Sequence, residues 1–63
     1  MTQKELLYVE DAIGHEKSII DICNESIKLL DDDELKNFLS NEIVMHTELE
    51  NNLLSIMEVK ANE

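Results

Sequence analysis

Residues in the first half of the chain repeat in two series of seven-residue spacing. The members are Leu6, Ile13, Ile20 and Ile27 in one series and, three positions behind, Val9, Glu16, Cys23 and Leu30 in the other. Because the spacing alternates between three and four, all eight side chains share one side of an α-helix. The pattern predicts a helix over residues 3–30 whose apolar stripe is broken once, by Glu16. A capping box formed by Thr2 and Glu5 predicts where this helix starts.

The second half of the chain contains a less regular stripe between Leu35 and Met57. Its apolar members are Leu35, Leu39, Leu49, Leu53 and Ile56. Glu42 and His46 interrupt the stripe one helical turn apart, so both project from the same side of a helix. The spacing predicts a second helix over residues 34–58, after which the pattern is lost and the tail is expected to fray.

The run Asp31-Asp32-Asp33 separates the two patterns. Aspartate is a good N-cap and a poor residue at a helix C-terminus, so the run predicts a turn over residues 31–33 followed by the second helix. Such a short connection makes the helices antiparallel neighbours. One continuous helix is the alternative, but no heptad phase runs through the acidic stretch. Residues 1–63 are therefore expected to form a single helical hairpin.

The hairpin is too small to bury both of its apolar stripes. A domain of about this size hides only about 60% of the surface of its unfolded chain, and an elongated hairpin hides less. Two hairpins packed together can bury both apolar stripes of each chain. The predicted fold is all-α, an antiparallel two-helix hairpin that forms a homodimeric four-helix bundle.

The charge balance narrows the range of partners. The 63 residues include 15 acidic and 5 basic side chains, a formal net charge of −10. This acidic chain is not expected to bind nucleic acid or an anionic membrane surface, because it has no basic stripe to neutralise phosphates. We expect neither a secretory signal nor a membrane span. The single cysteine, Cys23, suits a reducing compartment, and we expect a cytoplasmic protein.

The candidate functional residues are Glu16, Glu42 and His46, which fall on predicted core positions at nearly the same height of the hairpin. In a two-fold bundle they bring four carboxylates and two imidazoles into an apolar interior. Buried carboxylates must be protonated, paired or bound to a cation. One interpretation is a metal site, and mixed carboxylate and imidazole ligands suit iron, manganese or zinc. The other is a hydrogen-bonded network, in which the glutamates pair with His46 or with each other and fix the register of the dimer.

The remaining polar residues are weaker candidates, with Asp11 and His15, four residues apart on the first predicted helix, as an alternative accessory site. His15 projects about 100° away from Glu16 on a helix, so we expect it to face a partner or solvent. Cys23 is expected to be a small core residue, and Glu50, one turn beyond His46, to lie near the surface. The sequence contains no glycine-rich phosphate loop and no Ser/His/Asp grouping, so an enzyme is not the expected class.

Three features of the sequence belong together: the run KELLYVEDAIGHE at residues 4–16, the run Glu34-Leu35-Lys36, and His46 ahead of a leucine-rich end. In these features the chain resembles the Coat F type of small bacterial spore coat protein. The resemblance spans about residues 4–54. It implies a ferritin-like half-bundle that pairs, and an origin in a spore-forming bacterium. It also implies other spore coat proteins as partners and a location in the spore coat of the sporulating cell.

Two functions of different class follow from these features. The first is a structural or interaction protein, a small ferritin-like bundle of the spore coat type. The second is a ferritin-like redox or metal-handling protein with a dinuclear centre held by Glu16, Glu42 and His46. Metal-binding helices of ferritin-like bundles carry Glu-x-x-His, whereas Glu42 and His46 are four residues apart. This spacing puts the structural role first.

Overall fold

The structure is a computed structural model that describes residues 1–62. It contains two α-helices, α1 (Gln3–Leu29) and α2 (Asp33–Ala61), joined by residues 30–32. The helices pack against each other as an antiparallel hairpin with Cα extents of 47 × 15 × 11 Å. The predicted all-helical hairpin is confirmed, and the break at residues 30–32 excludes a single continuous helix.

Thr2 caps α1 through the predicted capping box. Its side-chain oxygen accepts a hydrogen bond from the Glu5 backbone N–H at 3.1 Å, and the Thr2 N–H donates to Glu5 Oε1 at 2.8 Å. The Thr2 N–H, and secondarily the Thr2 side chain, lower the pKa of the Glu5 carboxyl because they favour its charged form. At the other end Leu30 is extended, with φ −95° and ψ 143°. The helix therefore ends at Leu29, one residue earlier than expected.

The acidic run starts α2 through its middle residue, Asp32. The Asp32 side chain accepts a hydrogen bond from the Leu35 backbone N–H at 3.0 Å. Asp33 and Glu34 lie in the first turn, where negative charge interacts favourably with the helix dipole. The helix therefore begins at Asp33, one residue before the expected start.

The prediction that α2 ends at residue 58 is wrong, because the helix continues to Ala61. Val59 continues the apolar spacing of the helix, and Lys60 places a positive charge in the last turn, where the dipole favours it. The Asn62 side-chain amide donates to the Glu58 carbonyl at 2.9 Å and closes this end. Of the tail that was expected to fray, residue 63 lies outside the described residues.

The two helices meet along one series of residues from each, which we call the inner series. On α1 the inner series is the predicted heptad pattern, and all eight of its members are buried or half-buried. On α2 the members are half-buried and again alternate by three and four: Lys36, Leu39, Ile43, His46, Glu50, Leu53 and Met57. This alternation on both helices is the packing of an antiparallel coiled coil.

The predicted stripe on α2 is partly wrong, because it combines two different series. Leu35, Leu49 and Ile56 do not face α1 and are 51%, 46% and 52% exposed. They belong to a second series, in which each member comes one residue before a position of the inner series. Its members are Leu35, Phe38, Glu42, Met45, Leu49, Asn52, Ile56 and Val59. A matching second series runs along α1: Glu5, Tyr8, Ala12, His15, Ile19, Ile22, Ser26 and Leu29. These two lists together define what we call the outer face.

Both parts of the outer face lie on the same side of the hairpin. A position one residue ahead of the inner series is rotated by about 100°, and in antiparallel helices the two rotations point to the same side. Accordingly, Tyr8 and Val9 from α1 and Ile56 from α2 line one shallow pocket near the chain termini. The hairpin thus presents one continuous face that it cannot cover by itself.

Little of the described chain is buried. Within residues 1–62 only Ile13 and Cys23 are classed as buried, which confirms Cys23 as a small core residue with a free thiol. Neither helix of the described chain is long and apolar enough to cross a membrane. Packing within one hairpin therefore supplies only a thin core.

We predict that Asp32→Ala destabilises the protein by about 1 kcal/mol, because it removes the side-chain cap of α2. Urea unfolding at fixed protein concentration measures this loss. Asp31→Ala is the matched control, since it removes the same charge from the same turn without removing the cap. Equal losses in the two variants would show that the cap does not stabilise the start of α2.

Candidate functional site

Glu16 and His46 meet at the centre of the inner series. Glu16 lies near the middle of α1 and His46 near the middle of α2, and the short turn places the two residues at the same height. Glu42 is one helical turn from His46 toward the turn, on the outer series. The structure therefore brings together all three residues that the sequence singled out.

His46 is held between the two carboxylates. Its Nδ1 lies 2.5 Å from Glu16 Oε2 across the hairpin, and its Nε2 lies 3.4 Å from Glu42 Oε2 on the same helix. The side chains of Glu16, His46 and Glu42 are 17%, 22% and 30% exposed, respectively. Glu42 is the most exposed of the three because it borders the outer face.

This arrangement favours the charged imidazolium. The hydrogen bond to Glu16 is the largest cause of a raised His46 pKa, the charges of Glu16 and Glu42 add to it, and desolvation opposes it. With a proton on both ring nitrogens, His46 donates to Glu16 and directs its second N–H toward Glu42. Glu16 is thereby paired at a position where a lone carboxylate would be costly.

The three side chains form a chain of contacts that does not converge on one point. Glu16 engages Nδ1 of His46, and Glu42 Oε2 lies 3.4 Å from the other ring nitrogen, Nε2. Among residues 1–62, no group of three or more His, Cys, Asp and Glu side chains has the arrangement of a metal site. Binding a metal through Nε2 requires this nitrogen to lose its proton, while Glu16 can keep its hydrogen bond to Nδ1. The metal-site and hydrogen-bonded interpretations of these three residues therefore both stay predictions.

Two residues near the Glu16–His46 contact, His15 and Glu50, lie in different environments. His15 is exposed on the outer face, consistent with the partner-facing or solvent-facing position expected for it. Glu50, which was expected near the surface, is half-buried on the inner series of α2 because the heptad spacing continues through it. It lines a shallow pocket with Lys17, Ile20 and Asp21.

Sequence reasoning missed the outer face as a separate feature. The signal was present in α2, where Leu35, Phe38, Met45, Leu49 and Ile56 keep heptad spacing one residue ahead of the inner series. Two apolar heptad series on one helix are typical of a helix that packs against two neighbours. Taken together, members of the two series resemble one irregular stripe, which is why the prediction combined them.

Comparison with protein-family models, with curated proteins and with solved structures finds no match for this chain. The resemblance to Coat F type proteins therefore remains a prediction from the sequence.

We predict that an NMR titration gives His46 a pKa above the usual value of about 6.5 and that Glu16→Gln lowers it. The stabilisation by protonated His46 is then complete below the usual value and is lost as the pH rises through the raised value. The free energy of unfolding of the unsubstituted protein should fall over that range, and His46→Gln should remove this dependence.

Glu10→Gln is the control for the titration. It removes one carboxylate from an exposed position of α1, so it tests the effect of net charge alone. A His46 pKa that is the same in the Glu16→Gln and Glu10→Gln variants would contradict the specific pairing.

Proposed function

We propose that this chain is a structural or interaction protein whose working form is a homodimeric four-helix bundle closed through the outer face. The observation that carries the proposal is the outer face itself. Nine of the twelve exposed large hydrophobic residues lie on it: Tyr8, Ile22, Leu29, Leu35, Phe38, Met45, Leu49, Ile56 and Val59. Exposed apolar patches of this extent mark interaction sites.

The size of the outer face suits a second copy. The side of the hairpin that carries it extends 47 by 15 Å between Cα atoms, on the order of 700 Å² and close to the roughly 800 Å² that each partner contributes to a standard interface. Two apolar heptad series on both helices are also the pattern of a four-helix bundle, in which each helix contacts two others. A second copy provides the same length and the same spacing.

The charge distribution also suits self-association. Between Tyr8 and Leu29 on α1 and between Leu35 and Val59 on α2, the outer series carry one carboxylate, Glu42, although the whole chain has a net charge of −10. The opposite side is polar, with Lys17, Asp21 and Thr47 around one shallow pocket. Pairing through the outer face therefore leaves most of the acidic side chains in solvent.

The setting of this bundle is proposed from the resemblance alone. Coat F type proteins are components of the spore coat, and a small acidic bundle of this kind would assemble there with other coat proteins. In that role the central Glu16–His46–Glu42 network serves to fix how the helices align. Buried polar residues have this use in other helical assemblies.

A metal-binding bundle is the second candidate function. Glu16, Glu42 and His46 lie together, and a dimer doubles the number of donors near mid-bundle. Iron, manganese or zinc would bind there through Nε2 of His46, once that nitrogen has lost its proton, together with Glu42. Such a protein would belong to the redox or metal-handling class.

We predict that Met45→Lys abolishes dimerisation, because two methionine side chains at roughly 1.5–3 kcal/mol each leave the interface and two charges enter it. The dimer makes the urea midpoint rise with protein concentration. In the Met45→Lys variant, the midpoint should fall and lose this dependence.

Val44→Lys is the matched control for this change. Val44 is adjacent to Met45 and similarly exposed, at 65% against 56%, but it lies on the polar side. Its substitution should leave the concentration dependence intact. If Val44→Lys disrupts association as much as Met45→Lys does, the copies do not pair through the outer face.

Elemental analysis of protein purified without chelator distinguishes the two functions. The structural role predicts less than one equivalent of iron, manganese or zinc per dimer and no change in melting temperature when these metals are added. One or two metals per dimer, lost in the His46→Gln variant, would instead establish the metal-binding function.

A further inference from the structure

The polar residues on the outer face indicate how two copies are oriented. This inference rests on the proposed dimer and adds its direction. Two arrangements close the bundle: turn-to-turn, where both turns lie at the same end, or head-to-tail, where they lie at opposite ends. In the first, α1 lies on α2 of the partner. In the second, each helix lies antiparallel against the same helix of the partner, α1 against α1 and α2 against α2.

On α2, the outer series reads the same in both directions with respect to polarity. About a centre at residue 47, its two polar members exchange, Glu42 with Asn52. The apolar members exchange with apolar ones: Leu35 with Val59, Phe38 with Ile56, and Met45 with Leu49. An antiparallel contact of α2 with its own copy therefore pairs every residue with one of matching polarity.

The outer series of α1 has the same property over residues 8–22. About a centre next to His15, Tyr8 exchanges with Ile22 and Ala12 with Ile19, while His15 stays close to its own position. A turn-to-turn dimer would instead place Glu42 beside the partner's Ile19 and Asn52 beside the partner's Tyr8. The polar residues then face apolar ones, which is unfavourable in a desolvated interface.

The two centres agree with the hairpin geometry. The α1 centre next to His15 and the α2 centre at residue 47 lie beside Glu16 and His46, which contact each other across the hairpin. A single two-fold axis through this level therefore satisfies both helices at once.

The acidic turn favours the same orientation. Residues 31–34 are four consecutive carboxylates at one end of a hairpin 47 Å long. Turn-to-turn packing would bring eight of these carboxylates together, whereas head-to-tail packing separates the two turns by much more than the screening length of about 8–10 Å.

We propose that the dimer is head-to-tail, with the Asn52 side-chain amide of one copy donating to the Glu42 carboxylate of the other. Glu42 has room for this contact, since its Oε2 is 3.4 Å from His46 and its side chain is 30% exposed toward the outer face. Asn52 is exposed on the same face and lines one pocket with Met45 and Leu49. The partner's Asn52 thus extends the Glu16–His46–Glu42 network across the interface.

Asn52→Asp tests this contact with Asn51→Asp as its control. Both variants add the same charge, but Asn51 is exposed on the polar side. Asn52→Asp should raise the dimer dissociation constant at least about tenfold more than Asn51→Asp does, because it sets two carboxylates against each other. Adding Glu42→Gln to Asn52→Asp should restore affinity, since the amide and the carboxylate then exchange places. No rescue by the double variant would overturn the contact.

Cysteine cross-linking tests the orientation without placing a charge in the interface. In a Cys23→Ala background, a mixture of Phe38→Cys and Ile56→Cys chains should form a disulfide-linked heterodimer on oxidation, and neither variant alone should cross-link. A Phe38→Cys and Ile22→Cys mixture that cross-links instead would establish turn-to-turn packing. Absence of cross-links in every mixture, together with a monomeric mass of the unsubstituted protein, would overturn both this inference and the proposed dimer.

Discussion

Each helix of this chain carries two apolar heptad series, whereas a hairpin of two helices can cover only one series on each. The inner series meet between α1 and α2, and they leave only Ile13 and Cys23 classed as buried within the described residues. The outer series remain exposed on one side. Because the hydrophobic effect acts through area removed from water, covering that face would add stabilisation that one hairpin cannot supply. The need to cover it determines the proposed assembly and the proposed role.

The polar residues at mid-height follow from the same constraint. Two helices that meet through apolar residues alone can shift against each other by whole heptads. A polar pair such as Glu16 and His46 forms its hydrogen bond in one register only. Within the hairpin this pair joins the two helices at one level. Glu42 connects the inner network to the outer face. Of the three residues that first suggested a metal site, Glu16 and His46 thus supply a polar contact between α1 and α2.

The sequence predicted α1 well and α2 only in part, for a physical reason. In α1 the inner series is apolar except at Glu16, so its heptad spacing stands out. In α2 the inner series includes Lys36, His46 and Glu50, while the outer series is richer in large apolar residues. Apolarity alone therefore selected members of both series. The two differ by only about 100° of rotation, and the side facing α1 is decided by packing between the helices.

The candidate site was predictable in position but not in its bonding. The short acidic turn fixes the relative height of Glu16 and His46, and this followed from counting residues on either side of it. Which ring nitrogen meets which carboxylate depends on side-chain rotamers, and spacing does not specify them. That detail matters, because the protonation of Nε2 decides whether His46 donates to Glu42 or can bind a metal.

The central claim is that a second copy covers the outer face, and the solution mass of the unsubstituted protein tests it most directly. Sedimentation equilibrium at micromolar concentration should give twice the chain mass of 7.3 kDa. A folded, helical species that sediments as a single chain at every concentration would contradict the account.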